Sequence, residues 1–136
     1  MTTWFEWRTE YTVNVTEIDR QHKELFRVLN ELGEALWDGK GKDTVGEALK
    51  FMADYTVEHF YTEEAFMKDH GFPDYQDHKK AHDDLVEEIR QFIGRYETED
   101  MSSDLVMGVV NRLGDWTREH VRGMDQDLGK FLLNKT

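Results

Sequence analysis

The chain has 136 residues, 38% of them hydrophobic and 34% charged, which suits one soluble domain with a real core. Its net charge of −12 argues against a nucleic-acid binder, since nothing would neutralise phosphates, and against docking on anionic membranes. There is no cysteine, so disulfides, iron–sulfur clusters, thiolate zinc sites and thiol nucleophiles are excluded, and any metal must be held by nitrogen and oxygen.

Residues 1–15 are aromatic without a helical period and are expected to pack as an arm across the rest. Met1–Trp7 has no basic stretch followed by an apolar one, so no signal peptide and a cytoplasmic location are expected. No apolar run reaches the roughly 18 residues a membrane span needs. The single proline, Pro73, and the lack of alternating β-branched runs predict helices.

The first helix is expected over about 17–38, with Ile18, Leu25, Phe26, Leu29, Leu32 and Leu36 on one face and Thr16 with Asp19 as a capping box. The second is expected over about 44–70, with Thr44 and Glu47 as its capping box. Its inner face carries Leu49, Met52, Ala53, Thr56, His59, Phe60, Glu63 and Phe66, and Gly71 followed by Pro73 stops it. The third is expected over about 75–97, with His78, His82, Leu85, Val86, Ile89, Phe92, Ile93 and Tyr96 inward. The fourth is expected over about 103–121, with Leu105, Val109, Leu113, Trp116, His120 and Val121 inward. Short links favour antiparallel neighbours. The expected fold is all-α, an up-down-up-down four-helix bundle over about 16–121, with the arm before it and a short C-terminal helical segment in the tail 122–136.

Five of the six histidines fall on inner stripes. His59 with Glu63, and His78 with His82, are four apart and project from one helix face as two-ligand clamps. His22 and His120 lie on the other two stripes. An inward ionisable group is costly unless paired or metal-bound, so this concentration points to a metal centre. Asp125, five residues after His120, is about 140° round the helix from it. It reaches the same point only if the helix breaks near Gly123. His70, beside Gly71 at a helix end, reads as non-ligating, its charge suited to the dipole there.

Imidazole-rich ligation without thiolate suits iron, zinc, copper or nickel. Seven ligands are too many for one ion. Two octahedral ions sharing two bridging carboxylates and one bridging oxygen would have every position filled but one, a vacancy fit for one small ligand.

The joint pattern of Trp7, Tyr11, Val15, Ile18-Asp19, Gln21-His22, His59-x3-Glu63, His78-x3-His82 and His120-x4-Asp125 resembles the hemerythrin family, in its single-domain bacterial form. The resemblance implies two non-haem irons with a bridging oxo or hydroxo group. One would be held by His78, His82 and His120 and the other by His22 and His59, with Glu63 and Asp125 bridging. Dioxygen would bind end-on at the vacancy on the two-histidine iron. The implied function is reversible dioxygen binding for carriage, storage or delivery rather than catalysis. The alternatives are an oxygen or redox sensor, which would need a separate partner protein, and a peroxidase, oxidase or nitric oxide scavenger. Oxygen-activating bundles use four Glu and two Glu-x-x-His pairs. Fewer carboxylates here leave ferrous iron easier to keep. Trp116, Thr117 and Val121 are the expected ligand-pocket residues. Thr117 stands where the family commonly has a bulky apolar residue, so its hydroxyl either meets the bound oxygen, hastening autoxidation, or turns to a helix neighbour. Asn14 replaces a frequent glycine of the arm. Asp19 and Gln21 are candidates to orient the histidines.

Overall fold

The structure is a computed structural model and describes residues 5–134, so arm residues 1–4 and tail residues 135–136 lie outside the described residues. It contains a 3-10 turn at Thr9–Tyr11 and five helices: α1 Thr16–Trp37, α2 Lys42–His70, α3 Tyr75–Thr98, α4 Ser103–Arg122 and α5 Met124–Leu133. The first four form the bundle. The backbones of α3 and α4 approach each other less closely than those of the other neighbouring pairs. No helix is long and apolar enough to cross a membrane among the described residues.

The helix ends show which local signals operate. Neither expected capping box forms: α1 begins after Val15 and α2 after Gly41, without a side-chain cap. Asp19 instead accepts hydrogen bonds from the Val13 and Asn14 amides at 2.8 and 3.1 Å, fastening the arm. Ser102 does cap α4, accepting from the Leu105 amide at 3.1 Å. Gly71 ends α2 at φ +66°, and the Phe72 amide closes back on the Met67 carbonyl at 2.9 Å.

The stripes of α1 and α3 are buried as expected, with Val86 and Ile93 only half-buried. Two others differ. In α2 Met67 takes the inner place and Phe66 is half-buried. In α4 the inner face starts from Val106 and Val110, while Leu105 is 48% exposed. Its phase is set by Leu113 and His120, seven apart, and Val106 continues that line by another seven.

The arm runs back along α1 and α4. Phe5 and Asn30 exchange two hydrogen bonds at 2.9 and 2.8 Å. Trp7, Tyr11 and Phe26 form a cluster of edge-on rings 5.4–5.6 Å apart. Two glycines admit this close approach. A Cβ on Gly114 would lie 1.8 Å from the Phe5 ring, and one on Gly129 would lie 2.4 Å from the Val13 carbonyl oxygen. Asn14 sits at φ +66°, a left-handed conformation that glycine adopts freely and asparagine tolerates, which accounts for the exchange of one for the other.

Candidate metal centre

All seven residues singled out from the sequence converge at one level of the bundle, and all are buried. His22 comes from α1, His59 and Glu63 from α2, His78 and His82 from α3, and His120 from α4. Asp125 comes from the first turn of α5. The chain breaks at Gly123, where φ is −108° and ψ −91°, and the new helix axis turns the Asp125 carboxylate back to the histidines. His70 stays outside; a ring nitrogen of it donates to the Phe66 carbonyl at 2.9 Å.

The two carboxylates divide their oxygens between two groups of histidines. Glu63 Oε2 lies 3.0 Å from His22 Nε2 and 2.8 Å from His59 Nε2, and Asp125 Oδ2 lies 3.0 Å from His22 Nε2. The opposite oxygens face the other group. Glu63 Oε1 is 3.2 Å from His78 Nε2 and 3.1 Å from His82 Nε2, while Asp125 Oδ1 is 3.0 Å from His78 Nε2 and 3.2 Å from His120 Nε2. The ligand atoms of Glu63, His78, His82, His120 and Asp125 lie within 4.8 Å of one another, as do those of His22, His59, Glu63 and Asp125.

A family profile described as the hemerythrin HHE cation binding domain matches residues 13–132. The chain belongs to the hemerythrin family. A bacteriohemerythrin of Stenotrophomonas maltophilia is 29% identical over 88% of this chain and 76% of its own length. One of Methylococcus capsulatus is 28% identical over 90% and 92%. A wild-type hemerythrin crystal structure superposes with a TM-score of 0.86 at 28% identity, covering 95% of this chain and 98% of its own.

The residues at this hemerythrin's centre fit a pair of cations. His120 Nε2 lies 3.1 Å from both His78 Nε2 and His82 Nε2, and each ring nitrogen has at most one hydrogen to share. Hydrogen bonds therefore satisfy only part of the cluster. Glu63 Oε1 and Asp125 Oδ2 are buried without one. One cation among His78, His82 and His120 and another between His22 and His59 would satisfy both groups, the carboxylates spanning them. The all-nitrogen-and-oxygen donor set suits iron, zinc, copper or nickel.

Without metal, protons balance the charge. Burial opposes the His22 imidazolium, but the Asp125 and Glu63 carboxylates beside its Nε2 prevail and raise it to about 10. The same contest raises His78 to about 9. Burial opposes charging of His82 too, and Glu63 and Glu64 outweigh it, so its pKa is raised. For His59 burial wins and the pKa is lowered. Burial favours the neutral form of Glu63, but His59, His22 and His78 hold it well below the usual carboxylate range. Asp125, pushed up by burial and by Glu63, is brought low by His120 and His22. Metal uptake displaces such protons.

Outer hydrogen bonds fix two rings. Gln21 donates its amide N–H to Glu17 at 2.9 Å and to Thr62 at 3.2 Å, so its carbonyl oxygen must face His59. His59 Nδ1–H donates to that oxygen at 2.7 Å, leaving the Nε2 lone pair for the centre. His82 Nδ1–H donates likewise to Glu64 at 3.0 Å. The sequence pointed to Gln21 without saying which ring it serves. Glu64 was not anticipated; its only signal is adjacency to Glu63.

A cavity of about 20 Å³ adjoins the two-histidine group and has room for about one water-sized molecule. His22, His59, His120 and Asp125 form its floor, and Leu25, Leu29, Met52, Leu113 and Val121 are among the residues of its wall. Trp116 and Thr117 line it too. The Thr117 hydroxyl donates to the Leu113 carbonyl at 2.8 Å, so its proton is committed to its own helix.

Proposed function

We propose that this chain binds dioxygen reversibly at a pair of non-haem irons bridged by Glu63, Asp125 and an oxo or hydroxo oxygen, for carriage, storage or delivery. The observation that carries the reading is the small apolar cavity beside His22 and His59. The iron pair, when bound, would lend electrons to dioxygen and recover them on release. His78, His82 and His120 would occupy one ion with nitrogen donors, while the poorer donor set of His22 and His59 leaves a place facing the cavity. Gln21 and Glu64 hold their rings with lone pairs inward. Leu25, Leu29, Met52 and Leu113 exclude water, and with it the protons that would carry reduced oxygen away. The family profile, described as a cation binding domain, and the relatives' name bacteriohemerythrin support a hemerythrin-type metal centre here.

Binding is preferred over peroxidase, oxidase or nitric oxide chemistry because the Thr117 hydroxyl, which pointed toward catalysis, is engaged with Leu113. Metal analysis should find two irons per chain. Air added to the reduced protein should produce charge-transfer absorption that vanishes when oxygen is removed. Absence of iron, or bands that never reverse, would overturn the proposal. Sustained peroxide turnover with a reductant would move it to the enzyme reading.

A further inference from the structure

We propose that Trp116 is the door through which dioxygen enters the cavity, opening into the groove between α3 and α4. The inference rests on the oxygen-binding reading. The cavity and this outer groove share two residues, Trp116 and His120. His120 is a candidate ligand and buried, whereas Trp116 is half-buried and meets both the interior and the surface.

Three features make this wall the thin one. The groove follows the seam where the neighbouring bundle helices stand farthest apart. Across it, Ala81 of α3 and Gly123 at the chain break are small and leave room for an indole to swing outward. At the surface the Arg112–Glu88 ion pair, 3.3 Å long and exposed, joins α4 to α3, and such pairs hold weakly.

Trp116 is also held lightly. Its ring stacks on His120 at 4.5 Å and 13°, and among the described residues no hydrogen bond holds the indole N–H. The opposite wall differs. Phe60 separates the cavity from a groove between α2 and α3, but it is 4% exposed and lies flat on His82 at 3.8 Å and 1°. An outward turn of Trp116 gives up its stack on His120 and a tilted contact with Phe60 at 5.8 Å but leaves Phe60 in place, whereas moving Phe60 means opening the core.

A door changes rates without changing equilibrium. Trp116→Phe keeps an aromatic ring on His120 but lowers the barrier, so association and dissociation rates of dioxygen should both rise, by about tenfold, a modest change in barrier height. Ala81→Leu fills the groove from outside the cavity and should slow both rates. Nitric oxide binding to the reduced iron protein, followed by stopped flow, gives the same reading with a neutral diatomic that does not require reversible oxygenation. Shifts in the nitric oxide rates with no reversible oxygen binding would keep the door and discard the carrier. Reversible oxygen binding with rates unmoved in both variants would discard the door and keep the carrier. A change in Kd with one rate constant unaltered would also overturn the door, because it would mark Trp116 as part of the binding surface only.

Discussion

The two sides of the centre use the same imidazole chemistry in unlike surroundings. His78, His82 and His120 come from α3 and α4, and aromatic rings press on them: Phe60 on His82, Trp116 on His120. Three ring nitrogens and two carboxylate oxygens fill that side. His22 and His59 come from α1 and α2, and beyond them lies a void with a mainly aliphatic wall that Phe60 and Trp116 complete. Both sides share Glu63 and Asp125, so the contrast lies in the number of histidines and in what stands behind them. A crowded side suits holding a metal, and an open apolar side suits admitting a small neutral guest.

Substitutions can test that division, beginning with the residue both sides need. Glu63→Ala removes an oxygen from each side at once and should lower bound iron from two per chain to less than one, read by metal analysis. Next, Gln21→Leu should weaken metal at the two-histidine side by about 10–100-fold, and Glu64→Gln should do so at the three-histidine side. Competition with a graded chelator should then show one ion leaving first in each variant, and a different ion. Equal loss of both ions would dissolve the distinction. Thr117→Leu adds apolar bulk to the cavity wall without removing a ligand. The oxygenated protein should autoxidise more slowly than wild type, followed as decay of its visible absorption, while iron content stays the same. Gly114→Ala drives a methyl into the Phe5 ring and should cost about 1–3 kcal/mol, lowering the Tm with little change in bound iron. His70→Ala should change neither iron content nor oxygen binding, since that ring bonds to its own helix.

Much of this was legible from spacing. His59 with Glu63, and His78 with His82, each declare a shared face because four residues make about one turn, and the break at Gly123 follows from the five-residue step to Asp125. What escaped depends on contacts between distant parts of the chain. Gln21 serves His59, 38 residues away, rather than its neighbour His22. Glu64 lies next to a ligand yet reads as a solvated charge until α3 is set beside it. The inner face of α4 was misphased because Leu105 and Val109 mimic a stripe one residue away from Val106 and Val110. Both capping boxes were misread because the motif is short, and at α1 its acid, Asp19, holds the arm instead. Gly114 and Gly129 gave no sign at all; their meaning lies in the backbone and ring that approach them.

The division of oxygens in Glu63 and Asp125 has a consequence for the chain as a polymer. A metal pair held there would be a cross-link joining residue 22 to residue 125 through five helices, in a protein that has no cysteine to make one. Tying off a loop of about 100 residues removes on the order of 4–5 kcal/mol of unfolded-chain entropy by the reasoning applied to disulfides. Such a tie would concentrate at the end of the bundle where the arm and α5 close over the histidines. The opposite end, built on Leu36, Val45, Tyr96 and Val106, would keep its hydrocarbon packing and the Tyr96 hydroxyl's bond to the Lys42 carbonyl. Loss of metal would then loosen one end of the molecule and leave the other folded, with hydrogen exchange quickening first in α5 and the arm.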